Sequence, residues 1–294
     1  MLVQTPFDWY VVFYRTAPRA ALAAAAATAV VVLDVLFDRY HLSIPTAYIA
    51  LLGTAISVIL GFKNTQAYDR WWEARRLWGE ILNESRTLAR LAMAAEPAAW
   101  QQSLIRRQIA FAHAARLHLR RQGDFSSLRA YLSPEEFAAV QRSPNIPATL
   151  VVHHSRELAQ VRSAGAISDF EWMLFEQSLA RLTTAYGGCE RIKNTPFPRQ
   201  YDDFAQMLVW TFGLMFPFSL VQTLGYWTIP GSIVIAAAFQ ILDGIGRNVQ
   251  APFENNINDT PMSAIGRTIE RDLLHALGEE SLPPPLAPQR GVLM

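Results

Sequence analysis

Residues 44–62, IPTAYIALLGTAISVILGF, contain no charge, and they run on without a helix breaker into residues 63–91, KNTQAYDRWWEARRLWGEILNESRTLARL, which are dense in charge and tryptophan. At about 1.5 Å of rise per residue, roughly 20 apolar residues cross a hydrocarbon core of about 30 Å. The stretch therefore reads as one helix that begins in a membrane and continues into water. A water-soluble enzyme rarely needs that arrangement, whereas a membrane protein with a large cytoplasmic body does.

The rest of the chain follows the same division. It has 294 residues, 51% hydrophobic and 17% charged, with a net charge of +1. Soluble domains carry about 25% charged residues, and here the deficit falls on four segments. A near-zero net charge gives no sign of a nucleic-acid partner. The single cysteine, Cys189, excludes an internal disulfide. The N-terminus does not read as a signal peptide: its positive charges come late and no small-residue cleavage site closes a clean apolar run.

Four spans are expected. The first is Ala20 to Phe37, rich in alanine, with Asp34 near its end. The second is Ile44 to Phe62, and the third is Phe204 to Leu224, uncharged throughout. The fourth begins at Ile229, with Pro230 suited to a first helical turn, and runs to about Ile245; its uncharged part stops before Asp243, so it needs help from partner helices or interfacial water. The links between spans one and two (Asp38 to Ser43) and between three and four (Gly225 to Thr228) are short, and the link between two and three is long and charged. Arg15, Arg19, Lys63, Arg70, Arg199 and Arg247 flank the spans on the long-link side, against Arg39 alone on the other. Positive residues favour the cytoplasmic side, which puts both termini and the large block in the cytoplasm. Tyr40, Tyr226 and Trp227 then fall at the outer interface.

The cytoplasmic block reads as helix throughout. Leu77, Ile81, Leu88 and Leu91 recur at helical spacing until Pro97. Helices are expected at about Ala98 to Arg121, Pro134 to Arg142, Pro147 to Ala164 and Ser168 to Lys193. Ser133 with Glu136, and Ser168 with Glu171, match the capping-box spacing. No alternating β-branched run suggests a strand. The proline-rich end, SLPPPLAPQRGVLM from Ser281, reads as a disordered tail. The organisation is thus 1–62 (N-terminal segment and two spans), 63–203 (helical cytoplasmic region), 204–245 (two spans), 246–280 (C-terminal cytoplasmic segment) and 281–294 (tail).

Enzymatic motifs are missing. The histidines at 41, 113, 118, 153, 154 and 275 form no i, i+4 ligand pair with a nearby acid, so no metal site is expected, and His153 and His154 read as ordinary residues near a loop. No nucleophile elbow, phosphate loop or dinucleotide fingerprint occurs, and no catalytic residue or cofactor is assigned. Trp71 and Trp72 read as helix packing rather than a ligand cage, because adjacent helix positions point in different directions. Arg70, Glu73 and Arg75 read as a solvated or intersubunit ion-pair face.

Thr54, Val58 and Phe62 lie at i, i+4, i+8 and share one stripe of the second span. Ordinary helix packing accounts for such spacing. So does a pore surface, in which several copies around an axis stack rings into a hydrophobic neck able to gate by dewetting. Asp69 and Glu73 extend the stripe and would form acidic rings attractive to cations, whereas phenylalanine edges, the positive part of the ring quadrupole, would suit an anion's path.

GFKNTQAYDRWWEARRLWGEI after the second span, CERIKNTPFPRQY from Cys189 and APFENNINDTPMSAIGRTIERDL from Ala251 together resemble the bestrophin family in its bacterial branch, over nearly the whole chain except the tail. Bestrophins are ion channels, known in animals as calcium-activated chloride channels. The resemblance implies an all-α homopentamer with four transmembrane helices per subunit, in a lipid bilayer, passing small inorganic ions through one axial pore. It implies a neck at Thr54, Val58 and Phe62 and a cytosolic aperture at Phe197, between Pro196 and Pro198. The chain departs from the animal pattern in two places. The acidic clasp for calcium is reduced to Glu254 and Asp259 in PFENNINDTP, a weak calcium candidate, and Thr54 and Val58 are smaller or more polar than the animal neck. Anion passage is the family default, and a cation-selective channel of the same fold is the alternative, in line with some bacterial relatives. A transporter would carry inverted repeats or a charge at the bilayer midplane, and no such repeat is visible.

Overall fold

The computed structural model describes residues 9–36, 43–96, 99–289 and 291–293. The end of the first expected span at Phe37, the loop with Arg39, Tyr40 and His41, and Pro97 lie outside them. The described residues form nine α-helices: α1 (Trp9–Leu36), α2 (Thr46–Ala94), α3 (Ala99–Leu119), α4 (Pro134–Gln141), α5 (Ile146–Ser163), α6 (Asp169–Asn194), α7 (Arg199–Leu224), α8 (Thr228–Val249) and α9 (Met262–Ala276). Short 3-10 turns occupy Ser126–Ala130 and Gly225–Trp227. The β structure among the described residues is an isolated bridge between Gln289 and Val292.

Local chemistry sets several helix ends. Ser168 caps α6 with a full capping box: its hydroxyl accepts the Glu171 N–H at 3.2 Å, and the Glu171 carboxylate accepts the Ser168 N–H at 2.8 Å. At α4 only half of the expected box forms. Ser133 accepts the Glu136 N–H, but the Glu136 carboxylate turns instead to Arg107 and His153. The buried guanidinium is the stronger partner. Asn145 caps α5 through Ala148 N–H at 3.1 Å, with Pro147 in the first turn. α7 ends at Gly225, whose φ of +52° carries no Cβ penalty in glycine.

The chain divides into two compact units. One contains residues 71–195 and 251 onward. Its core gathers Trp78 and Ile81 of α2, Phe111 of α3, Leu158 of α5, Phe175 of α6 and Ile269 of α9, all fully buried. Gly188 lets α6 approach α2 closely: a methyl there would stand 2.9 Å from the Leu77 side chain. His153 and His154 sit within α5, away from the loop expected from sequence, and His154 is fully buried.

The other unit contains residues 9–70 and 196–250. Ile49, Ile56 and Leu60 of α2 pack against Ala205, Val209 and Phe212 of α7, while Val30 and Val31 of α1 meet Val221 of α7. Gly53 faces the Phe212 ring so closely that a methyl would come within 3.0 Å of it. Thr46–Ala94 and the stretch Arg199–Val249 contain windows long and apolar enough to cross a membrane; Ala20–Asp34 is a shorter apolar segment. α1 begins well before the expected span and passes through Pro18, and α7 starts at Arg199 rather than Phe204.

Candidate functional site

The site begins with the two faces of the first part of α2. Helical geometry turns the chain about 100° per residue, so Ile49, Ile56, Leu60, Lys63 and Ala67 share a face, and all five are buried. Thr54, Val58 and Phe62 share the opposite face and are exposed; Val58 is 53% and Phe62 65% accessible. Apolar side chains of that size on a solvent-facing helix are costly in water, at about 25 cal/mol per Å². The Thr54 hydroxyl donates to Ala50 O at 2.9 Å, and Ser57 donates to Gly53 O at 2.8 Å. Their protons are committed to the helix, so the stripe offers no free O–H from these residues.

Asp69 is exposed on the same face. Glu73 is not its equivalent. It is half-buried and accepts from Arg191 of α6, which compensates its charge within the chain. The face expected from sequence is solvated or intersubunit; the pairing seen for Glu73 is within the chain. Arg76, exposed seven residues beyond Asp69, adds a cation to the stripe.

Phe197 lies in the non-helical connection between α6 and α7, half-buried, with its ring edge-on to Tyr201 at 6.2 Å and 87°. A different aromatic is far more open. Phe170, in the first turn of α6, is 80% accessible and forms an apolar patch with exposed Met173 and Leu174 at i, i+3, i+4. Sequence reading passed over this patch because an amphipathic spacing ordinarily marks a buried face.

The segment that would correspond to a calcium clasp spends its carboxylates largely on partners within the chain, although Asp259 Oδ1 is buried without one among the described residues. Glu254 accepts from Lys193 at 2.7 Å. The Trp71 indole N–H donates to Asn258 O at 2.7 Å, which gives this tryptophan a bracing role. Asp259 is 2% accessible and accepts the Asn256 N–H at 3.0 Å, in a turn where Asn255 takes a φ of +68°. Burial holds the Asp259 carboxyl above its usual range. Nearby Arg120 is itself pushed down to about 10 by burial and by Arg116. Calcium takes six to eight oxygens, several of them carboxylates. Here one carboxylate is engaged by an ammonium, and the other has one oxygen turned onto a backbone amide and only the remaining one free, far short of the set a calcium ion takes. No group of three or more His, Cys, Asp or Glu side chains converges among the described residues. The residues present do not fit a calcium clasp.

Residues 10–275 match the family described as Bacterial/Fungal Bestrophin protein. The chain belongs to the bestrophin family. It is 37% identical over 243 residues to the voltage-dependent anion channel-forming protein YneE of Escherichia coli K12, covering 82% of this chain and 80% of that one. It is 32% identical over 244 residues to the voltage-dependent anion channel-forming protein RSc3414 of Ralstonia nicotianae, with the same coverage. Among solved structures, a bacterial bestrophin homolog from Klebsiella pneumoniae superposes with a TM-score of 0.85 at 31% identity, over 90% of this chain and 98% of that one. This bestrophin therefore shares both sequence and fold with its relatives along most of its length.

Sequence reading also missed the role of Lys63. It was counted as a flanking positive charge, yet its side chain is buried and paired. Its partners lie 139 and 180 residues away, and no local periodicity reports such a pairing.

Proposed function

We propose that this bestrophin is an anion channel, a homopentamer whose subunits each contribute four membrane-spanning helices (α1, the first part of α2, α7 and α8). The supporting observation is the exposed uncharged stripe Thr54, Val58 and Phe62, on the side of α2 opposite its buried face, in a chain whose relatives are named anion channel-forming proteins. Around a five-fold axis the stripe stacks into a hydrophobic neck, with Phe62 its bulkiest ring. The long-link side, with its excess of Arg and Lys, faces the cytoplasm together with both termini, and the membrane is the bacterial inner membrane. Phe197 forms a second, cytosolic aperture.

Exposed Asp69 favours a second reading, a cation-selective channel of the same fold. Two features weigh against it. Glu73 is neutralised by Arg191, and Arg76 contributes opposite charge on the same helix face. The acidic ring reduces to one carboxylate per subunit, beside a cation. Mass measurement of the detergent-purified protein tests the assembly: a pentamer supports the pore, and a stable monomer or dimer removes the axis on which it depends.

A further inference from the structure

A cluster of four charges, with Lys63 and Asp243 buried and Asp202 and Arg247 partly exposed, lies behind the stripe. Lys63 of α2 is fully inaccessible. Its ammonium donates to Asp202 of α7 and, at 2.8 Å, to Asp243 of α8, itself 2% accessible. Arg247, one turn further along α8, pairs with the second oxygen of Asp243. The cluster holds two positive and two negative groups and is balanced. Next to it, the Asn64 amide donates to Leu242 O at 2.9 Å. Gly246 is what permits that approach, since a methyl there would collide with the Asn64 side-chain oxygen.

Three consecutive residues thus divide their work. Phe62 is exposed, while Lys63 and Asn64 tie the same turn of α2 to α7 and α8. Apolar packing is non-directional, so contacts such as Leu60 against α7 tolerate small rotations of α2. The ion pairs do not. Turning α2 by one residue, about 100°, would withdraw the ammonium and leave buried Asp243 with Arg247 alone. Breaking a buried pair from one side is strongly unfavourable because it strands a charge.

We infer that Lys63 is the positioning residue of the Phe62 constriction: clamped between Asp202 and Asp243, it fixes the rotation of α2 and so the size of a neck that it does not touch. This rests on the neck reading above. The experiment records full-length channels in planar bilayers for the parent, Phe62→Ala, Lys63→Met, Lys63→Arg and the Phe62→Ala/Lys63→Met double variant, with detergent mass measured for each.

Lys63→Met changes conductance or the chloride-to-potassium permeability ratio by about fivefold, which corresponds to roughly 1 kcal/mol of lost conformational preference. Lys63→Arg restores parental values, and Lys63→Met adds nothing once Phe62 is alanine. If Lys63→Met matches the parent while Phe62→Ala differs from it, the inference is overturned and the neck stands. If Lys63→Met keeps its full effect beside Phe62→Ala, Lys63 acts other than through Phe62 and the inference is likewise overturned. If Phe62→Ala changes nothing, the neck reading fails and the inference falls with it. Should Lys63→Met not assemble, Asp202→Asn releases only the more exposed arm of the clamp. A smaller change in the same parameters, absent in the Phe62→Ala background, supports the inference, and parental behaviour overturns it.

Discussion

Residues 46–70 and 71–94 lie on one helix, yet they dispose of their apolar side chains in opposite ways. In the second part, Trp78, Ile81 and Leu88 are fully buried in a core that the chain closes by itself. In the first part, Leu51, Val58 and Phe62 are more than half exposed. The second part buries most of its large apolar side chains within one subunit, with Trp72, 52% accessible, as an exception. The first part requires something beyond it, which a lipid bilayer and neighbouring subunits would supply. Mutations of the same kind should therefore act on stability in one part and on conduction in the other.

The largest effect is expected where the core is closed. Trp78→Ala should cost about 3–5 kcal/mol, as large-to-small core substitutions do, read as a fall in the denaturation midpoint of the detergent-solubilised protein. A midpoint equal to the parent's would erase the contrast between the two parts.

The next effect is a pH dependence confined to the self-contained core. Burial, with Arg107 and His153 nearby, holds His154 well below its usual 6.5, so it stays neutral when folded. The unfolded chain takes up the proton as pH falls through 6.5 and the folded chain does not. Stability is therefore full above 6.5 and falls below it, by up to about 1.4 kcal/mol per pH unit from this group. His154→Leu should flatten that slope in denaturation measured between pH 7 and pH 5. An unchanged slope would assign the acid sensitivity to other groups.

Smaller in free energy, but decisive for function, is the response of the exposed aromatics. Phe62→Ala should leave stability within about 0.5 kcal/mol, as exposed sites do, and raise conductance about twofold or more by widening a hydrophobic constriction. Phe197→Ala should alter permeability to larger ions, and Phe170→Ala should not. The reverse pattern would move the second constriction to the open end of α6.

The smallest effect is expected from calcium. With Glu254 held by Lys193 and Asp259 turned onto backbone amides, currents should be the same in chelator and in micromolar calcium. Steep activation, lost in Asp259→Ala, would contradict the donor-set argument.

What was legible in the sequence depended on how local its cause was. α4, α5 and α6 begin within a residue of expectation because serine caps and first-turn prolines announce them. The long continuous α2 was visible because no breaker interrupts it after its first turn. The start of α1 was missed because Arg15, Pro18 and Arg19 interrupt the apolar run between its aromatic first turns and the alanine-rich span. α9 went undelineated although Met262, Ile265, Ile269 and Leu273 bury one face. The stripe of α2 was readable from spacing, but its exposure was not, since a periodic face can be core or pore. The compensation of Glu73 by Arg191 and the clamp on Lys63 join distant segments, and only the fold reveals them.

The central claim is that the exposed face of α2 lines an anion path. Its most direct test is the reversal potential of the purified channel in a planar bilayer under a tenfold KCl gradient. The account predicts a reversal displaced toward the chloride equilibrium potential. Displacement toward the potassium equilibrium potential would make Asp69 the dominant charge and contradict it.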